Sequence, residues 1–409
     1  MPSLLFLVHR LPYPPNKGDK ISSYNILKYF ARSHDVYLGT FVDDPDDRQH
    51  VDTVRAMCRD VCAVEIAPRL RKWAALRGLL DGRALSACYY ADRRLAAWVR
   101  HTLANVRPDG VLMYSGAMGQ FVDPAWSPAT RTIFELEDVD SAKWESYAGT
   151  KPWPLSWLYA REGRVLSAFE RRMAARFDVS VLISKAEADL FRRRAPEAAG
   201  RIMHRTQGVD ADYFDPDLTF ANPYGPDERV LLFVGAMDYW PNVEAVTWYA
   251  REVLPSVQRA VPDARFYIVG RNPDEAVRAL AAVPGVVVTG GVDDVRPYMQ
   301  HALASCLPLR IARGVQNKAL EAMAMAMPLL VSPEALTGIA RHPGFEPWIA
   351  PDAETFTAQS IALLRAPPGR QPGARTAVLA RHAWDTNLKR LAAIMAGDAD
   401  IEDAADAVY

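Results

Sequence analysis

Cysteine is scarce, with four among 409 residues. Cys58, Cys62, Cys88 and Cys306 make no disulfide framework. Cys58 and Cys62 are spaced i, i+4, as on one helix face, but no second pair or neighbouring histidine completes a zinc site. An apolar run of membrane-spanning length is also missing. The opening LLFLV is too short for a signal-peptide core or a span and carries no positive leader. These absences predict a reduced, cytoplasmic setting. No nucleic-acid module is recognisable, and a net charge of −1 gives no general attraction for a polyanion. The loop after the first apolar run lacks G-x-G-x-x-G, which argues against a dinucleotide there.

What is present is globular and asymmetric. Half the residues are hydrophobic and 24% are charged, a composition for burying cores, and the length suits two domains. Residues 1–200 hold 29 Lys+Arg against 24 Asp+Glu, a balance of +5, and the remainder holds 19 against 25, or −6. The excess is local. Between 69 and 107 stand nine cations, with Asp81 and Asp92 the only acids and Trp73, Leu76, Leu79, Leu80 and Trp98 interleaved. This reads as a basic amphipathic surface for anionic lipid, joined by the arginines of a helix from about 155 to 176. A solvated helix face is the plainer alternative.

Short apolar runs alternate with helical patterns along the whole chain. Ser3–His9, Asp35–Phe41, Gly110–Tyr114, Thr132–Leu136 and Asp178–Ile183 read as strands of a parallel sheet. The fourth ends in Glu137, Asp138, Val139 and Asp140, carboxylates at the C-terminal end of a strand, where open α/β sheets bind ligands. Asp43, Asp44, Asp46 and Asp47 read as a solvated loop. Ser184 with Glu187 forms a capping-box pattern. Prolines and polar turn residues in FDPDLTFANPYGPD mark a linker. The pattern then restarts with strands at Arg229–Val234, Ala264–Val269, Val286–Thr289, Ala304–Leu309 and Leu329–Val331, and a helix over Val243–Val261. The fold class is therefore α/β, with two tandem Rossmann-like, doubly wound parallel-sheet domains.

Residues 304–327 carry the sharpest chemistry. A strand runs into a turn at Gly314, and Asn317 reads as the N-cap of a helix. Arg310, Arg313 and Lys318 put positive charge where the helix already presents free N–H groups, a setting for a diphosphate. Glu321, one turn inside, can accept from a ribose diol. Diphosphate with ribose means a nucleotide or nucleotide sugar.

QGVDADYF (207–214), LLFVGAMDYWPNVEAV (231–246), FYIVGRNP (266–273), VVVTGGVDDVRPYM (286–299) and KALEAMAMAMPLLVS (318–332) follow one another in a familiar order. Together they resemble the donor half of GT-B glycosyltransferases of family 4. PPNKGDKISSYNIL and ELEDVDSAKW resemble a subgroup associated with exopolysaccharide loci. The resemblance implies two domains facing across a cleft: 1–213 on the acceptor side, a linker at 214–228 and a donor domain at 229–379. A helix at 380–396 would pack back on the first domain, and 397–409 would be an acidic tail. It implies a cytoplasmic enzyme, peripheral on the inner face of the membrane, that moves a sugar from a nucleotide-diphosphate sugar to a glycan or polyprenyl-linked acceptor, with retention. Glu137, Asp138, Arg310 and Lys318 become the catalytic candidates. Donor contacts fall to Gly18, Gly235, Asn242, Arg271, Val292, Asp293, Gly314, Val315, Gln316, Asn317 and Glu321, and acceptor-side contacts to Asp19, Lys20 and Asp140. Arg313 stands where many relatives have the first glutamate of E-x7-E. No cofactor or metal is expected, because protein cations meet the diphosphate and 229–379 holds no D-x-D. A nucleotide-sugar 2-epimerase of the same fold and a non-catalytic sugar-nucleotide-binding protein stay open as alternatives.

Overall fold

The computed structural model describes residues 1–126, 130–312, 314–339 and 341–397. Arg313 and the tail from 398 onward lie outside the described residues. Among the described residues the chain forms two compact units, one of 1–205 with 388–397, the other of 206–387.

The first unit is built on a seven-stranded sheet in the order β3-β2-β1-β4-β5-β6-β7. The strands are β1 (Ser3–Val8), β2 (Asp35–Val42), β3 (Asp60–Glu65), β4 (Gly110–Tyr114), β5 (Arg131–Glu137), β6 (Val179–Leu182) and β7 (Ile202–His204), all parallel. Leu4 to Val8 are fully buried, as a continuous apolar run requires when both sheet faces are covered. Helices α1 (Gly18–Phe30), α2 (Pro68–Ala75), α3 (Asp140–Ala148) and α4 (Leu155–Arg176) belong to this unit. The second unit has six parallel strands in the order β10-β9-β8-β11-β12-β13. They are β8 (Arg229–Val234), β9 (Ala264–Val269), β10 (Val286–Gly290), β11 (Ala304–Leu307), β12 (Leu329–Val331) and β13 (Trp348–Ile349). Helices α5 (Trp240–Trp248) and α6 (Asn317–Ala324) lie here, and a last helix, α7, covers Trp384–Ala396. From Leu388 that helix belongs to the first unit, where a Cβ on Gly110 would sit 2.4 Å from the Met395 sulfur.

Several sequence expectations need correcting. Cys62 lies on β3, a strand with charged ends and no long apolar run, so Cys58 and Cys62 do not share a helix face. The helix expected over 243–261 is broken by a π-turn at Tyr249–Val253 and resumes at Leu254. Pro255, which has no N–H to give, sits in the first turn of the resumed piece, where none is needed. Ser184 does cap its helix, its Oγ accepting from Glu187 N–H at 3.2 Å. The Glu187 carboxylate accepts from Val139 N–H at 2.8 Å and so fixes the chain beyond β5.

The acidic loop is not wholly solvated either. Lys20 Nζ reaches both oxygens of Asp47 at 2.9 Å, with side chains only 2% and 9% exposed. Lys20 therefore presents no ammonium to an acceptor, a second correction. Removing one partner of a buried pair leaves the other charge stranded. Asp47→Ala should lower unfolding stability by about 3–5 kcal/mol, seen as a lower urea midpoint at unchanged slope. A midpoint equal to wild type would show that water reaches Lys20.

Candidate active-site residues

In each sheet the strand order reverses once, between β8 and β11 in the second unit and between β1 and β4 in the first. The crevice at the C-terminal ends of strands at such a reversal is the natural ligand position.

In the second unit the strand ends form a tight shelf. Gly235 N–H donates to Val269 O and Gly270 N–H to Gly290 O, both at 3.0 Å. A Cβ on Gly270 would lie 1.6 Å from the Gly235 carbonyl oxygen, so no other residue fits there. Asn242 is buried in the first turn of α5, where its Nδ2 donates to Ala236 O at 2.9 Å while its Oδ1 has no hydrogen-bond partner among the described residues. Arg271 lies beside Gly291, its Cβ at 3.5 Å from where that residue's Cβ would be, and makes no ion pair among the described residues. Val292 packs against the core, and Asp293 is exposed.

Across the reversal stands α6. Gly314 has φ +63°, a conformation that favours glycine, and Gln316 is extended just before the helix. Asn317 is thus the first helical residue rather than the cap, and Gln316 makes no side-chain cap. Its side chain instead braces the turn, donating to Gly314 O at 3.2 Å and accepting from Lys318 Nζ at 3.2 Å. Val315 is half-buried against the core. Lys318 Nζ lies 5.8 Å from the centre of the Phe233 ring at the end of β8, so its charge sits over the crevice. Burial lowers the Lys318 ammonium to about 8, with Glu321 opposing. Burial raises the Glu321 carboxyl to about 7, with Lys318 opposing. No hydrogen bond joins the two. Each is held close to losing its charge, and an anion or a diol would restore it. Arg310 differs. Its guanidinium is bonded to Glu244 of α5 and lies 5.2 Å from the Trp248 ring. It clips the loop to α5 with its charge already compensated, which removes it from the cations expected to meet a diphosphate.

The first unit gathers carboxylates. Glu137 ends β5 at a register shift, with φ +65°, unusual for a residue with a side chain. Such strain concentrates at functional positions. Burial pushes its carboxyl up to about 7, partly offset by the Tyr114 hydroxyl beside it. Asp138 and Asp140 share one cation, Lys143, whose Nζ lies 2.7 and 3.2 Å from them. Asp19, in the first turn of α1 after Gly18, accepts from His9 Nε2 at 3.1 Å and Arg10 Nη1 at 3.0 Å. Burial opposes ionisation of Asp19, but those two partners outweigh it and hold the carboxyl well below the usual range. Arg10 also donates to Asp43 at 2.9 Å, and the His9 ring stacks on Tyr114 with centroids 6.1 Å apart. His9, Arg10 and Tyr114 were invisible as site residues. His9 reads as the end of an apolar strand, and only its position at the strand's C-terminal end hints at more. Among the described residues no group of three or more His, Cys, Asp or Glu is placed to hold a metal ion.

Residues 228–366 match the family model described as glycosyl transferases group 1. The matched residues lie within the second unit. No curated protein is detectably similar to the chain. Solved structures are similar over nearly its whole length. Anabaena Alr3699/HepE, solved with UDP and glucose, is 13% identical with a TM-score of 0.65, covering 97% of this chain and all of that one. WaaG, a glycosyltransferase involved in lipopolysaccharide biosynthesis, is 17% identical with a TM-score of 0.62, covering 98% of this chain and all of that one. A glycosyltransferase from Rickettsia africae is 13% identical with a TM-score of 0.62, covering 98% and 100%. The fold is that of the GT-B glycosyltransferases, two parallel-sheet α/β domains. Within the matched residues, Gly235 and Asn242 follow β8, Gly314, Gln316, Asn317 and Lys318 follow β11, its neighbour at the reversal, and Glu321 follows Lys318 by one turn. Gly18, Asp19, Glu137, Asp138 and Asp140 lie in the other unit.

Proposed function

We propose that the chain moves a sugar from a nucleotide-diphosphate sugar to a glycan or polyprenyl-linked acceptor in extracellular polysaccharide synthesis, with retention, as a family 4 enzyme. The observation that carries this is the Lys318–Glu321 pair at the strand-order reversal of the glycosyl transferase domain. The backbone N–H groups of Asn317 and Lys318 meet no acceptor among the described residues, so they and the Lys318 ammonium can receive the departing diphosphate. Glu321 accepts from the ribose diol, and the backbone at Val292 and Asp293 meets the base. Glu137 and Asp138 act on the transferred sugar or the acceptor hydroxyl. HepE was solved with UDP-glucose, which makes a uridine donor the first to try. The site is cytoplasmic in this reading, and an anionic membrane is a further partner.

Metal independence belongs to the same proposal. UDP should raise the melting temperature, because a ligand bound only by the native state stabilises it, and excess chelator should leave that rise unchanged. A rise abolished by chelator and restored by magnesium would defeat the metal-free reading. No rise with any nucleoside diphosphate would defeat the donor site itself. Transfer that requires an acceptor separates this enzyme from a 2-epimerase, which would convert the donor alone.

A further inference from the structure

Glu170 on α4 is only 1% exposed, and an acid is seldom so buried without a partner that holds it there. Its partner is the first turn of α3. Glu170 Oε1 accepts from the Ser141 N–H at 3.1 Å, and Oε2 lies 2.6 Å from the Ser141 hydroxyl. Val139 occupies the N-cap position of α3 and has no side-chain oxygen to offer the helix start. Glu170 supplies one from a different helix. Glu187 does the same at the Val139 N–H. Gly163 lets α4 come this close, since a Cβ there would lie 2.7 Å from Glu145 Cγ and 3.2 Å from the Ser141 carbonyl oxygen. Trp144 of α3 meets Tyr159 of α4 edge-on, with ring centroids 4.9 Å apart.

The stretch held in this way begins at Glu137. A disfavoured backbone conformation persists only where its surroundings over-determine it. Glu137 O accepts from the Ile183 N–H at 2.7 Å on the strand side. On the helix side Val139 and Ser141 are fixed by Glu187 and Glu170. Asp138 and Asp140 alternate with these held residues and share Lys143.

We propose that Glu170 is a positioning residue for sugar transfer, bracing the stretch from Glu137 to Asp140 through Ser141 without touching substrate. The groups that face it are Asp140 and Ser141 of α3 and Arg194 of the helix Lys185–Arg194. Arg194 is itself bonded to Glu145 at 2.6 Å and also faces Glu187. Burial pushes the Glu170 carboxyl up to about 8, with Asp140 adding to the rise and Ser141 and Arg194 opposing it. At neutral pH the acid keeps its proton, accepting from the Ser141 N–H and donating to the Ser141 hydroxyl. Once ionised it only accepts, and it sets a negative charge beside Asp140. The brace is therefore firm at neutral pH and slackens in alkali. The kinetic part of its test rests on the transfer reading, and the amide-exchange part does not.

Full-length wild type, Glu170→Ala and Glu170→Gln are compared by amide hydrogen exchange over residues 137–143, by kcat and by UDP affinity. Glu170→Ala strands the Ser141 N–H, so exchange in that stretch should quicken and kcat should fall, each about tenfold or more. UDP affinity should stay at the wild-type value. Glu170→Gln reproduces the neutral acid, its amide oxygen accepting from the Ser141 N–H and its amide nitrogen donating to the hydroxyl. It should match wild type in all three measurements at pH 7. From pH 7 to 9, at saturating donor so that Lys318 stays charged, wild-type kcat should fall. Exchange over 137–143, corrected for its intrinsic rise with pH, should quicken. Glu170→Gln should show neither change. Wild-type exchange in Glu170→Ala, a loss of UDP affinity that tracks its loss of kcat, or the same alkaline behaviour in Glu170→Gln and wild type would each overturn the proposal. If Glu170→Ala does not fold, the comparison of Glu170→Gln with wild type across that pH range decides. Exchange as expected with no transfer by wild type would leave the brace standing and count against the transfer reading alone.

Discussion

Glu137→Gln should cut sugar transfer by about a hundredfold or more, the usual size of an acid–base or sugar-hydroxyl contact at a reacting centre, while leaving UDP affinity where it was. The shape is retained and only the charge is lost. Burial raises the Glu137 carboxyl to about 7, so its anionic form appears only as pH climbs through that value. Wild-type transfer should therefore rise across neutral pH, and the variant should lose that limb as well as its rate. A pH profile unchanged in shape would show that Glu137 is not the ionising group, whatever happened to the rate. Asp138→Asn is the sharper control: the Asp138 charge helps to raise the Glu137 carboxyl, so its loss should keep the limb but move it to lower pH.

The second large effect is at Lys318. Removing one preorganised group that faces developing negative charge costs about a hundredfold to a thousandfold in turnover. Lys318→Ala should lose most of its activity in kcat, with a smaller loss in UDP affinity. The lowered ammonium, at about 8, adds a second signature. Free Lys318 loses its proton above that pH, whereas a bound diphosphate keeps it. UDP affinity should thus decline as pH rises beyond 8, and binding near pH 8 should take up protons, measurable as a buffer-dependent calorimetric heat. The alanine variant should show neither. Full proton uptake in the variant would assign it to another group.

The fold was legible because its strands are continuous apolar runs. Gly110–Tyr114 and Leu329–Val331 could be bounded to the residue. β3 escaped because Asp60 and Glu65 bracket a short half-buried edge strand. The loop before α6 was legible for a different reason. A glycine turn, a lysine and a glutamate one turn on are local in sequence, and the structure keeps them local. Partnerships across the chain were not readable. Lys20 meets Asp47, 27 residues away, and Arg310 meets Glu244, 66 away. In both cases a cation that looked available is spent on a carboxylate that only the folded sheet brings near. Asn317 was misplaced by a single residue, since the chain enters the helix one position earlier than it would with Asn317 as the cap.

Glu137 holds a backbone conformation that a side chain disfavours, a strain of about 1–3 kcal/mol. Its acid is also harder to ionise in the folded protein than in the unfolded chain. The sign follows directly. A folded value near 7 against about 4.3 unfolded means that the native state holds its proton more tightly. The stability this gives is complete below the unfolded value and is lost as pH rises through 7. At alkaline pH this position therefore works against the fold twice over. A library of chains selected only for surviving heat at that pH should drift to glycine at 137. The survivors would be tougher proteins that no longer transfer sugar, so directed evolution for durability needs an activity screen at every round.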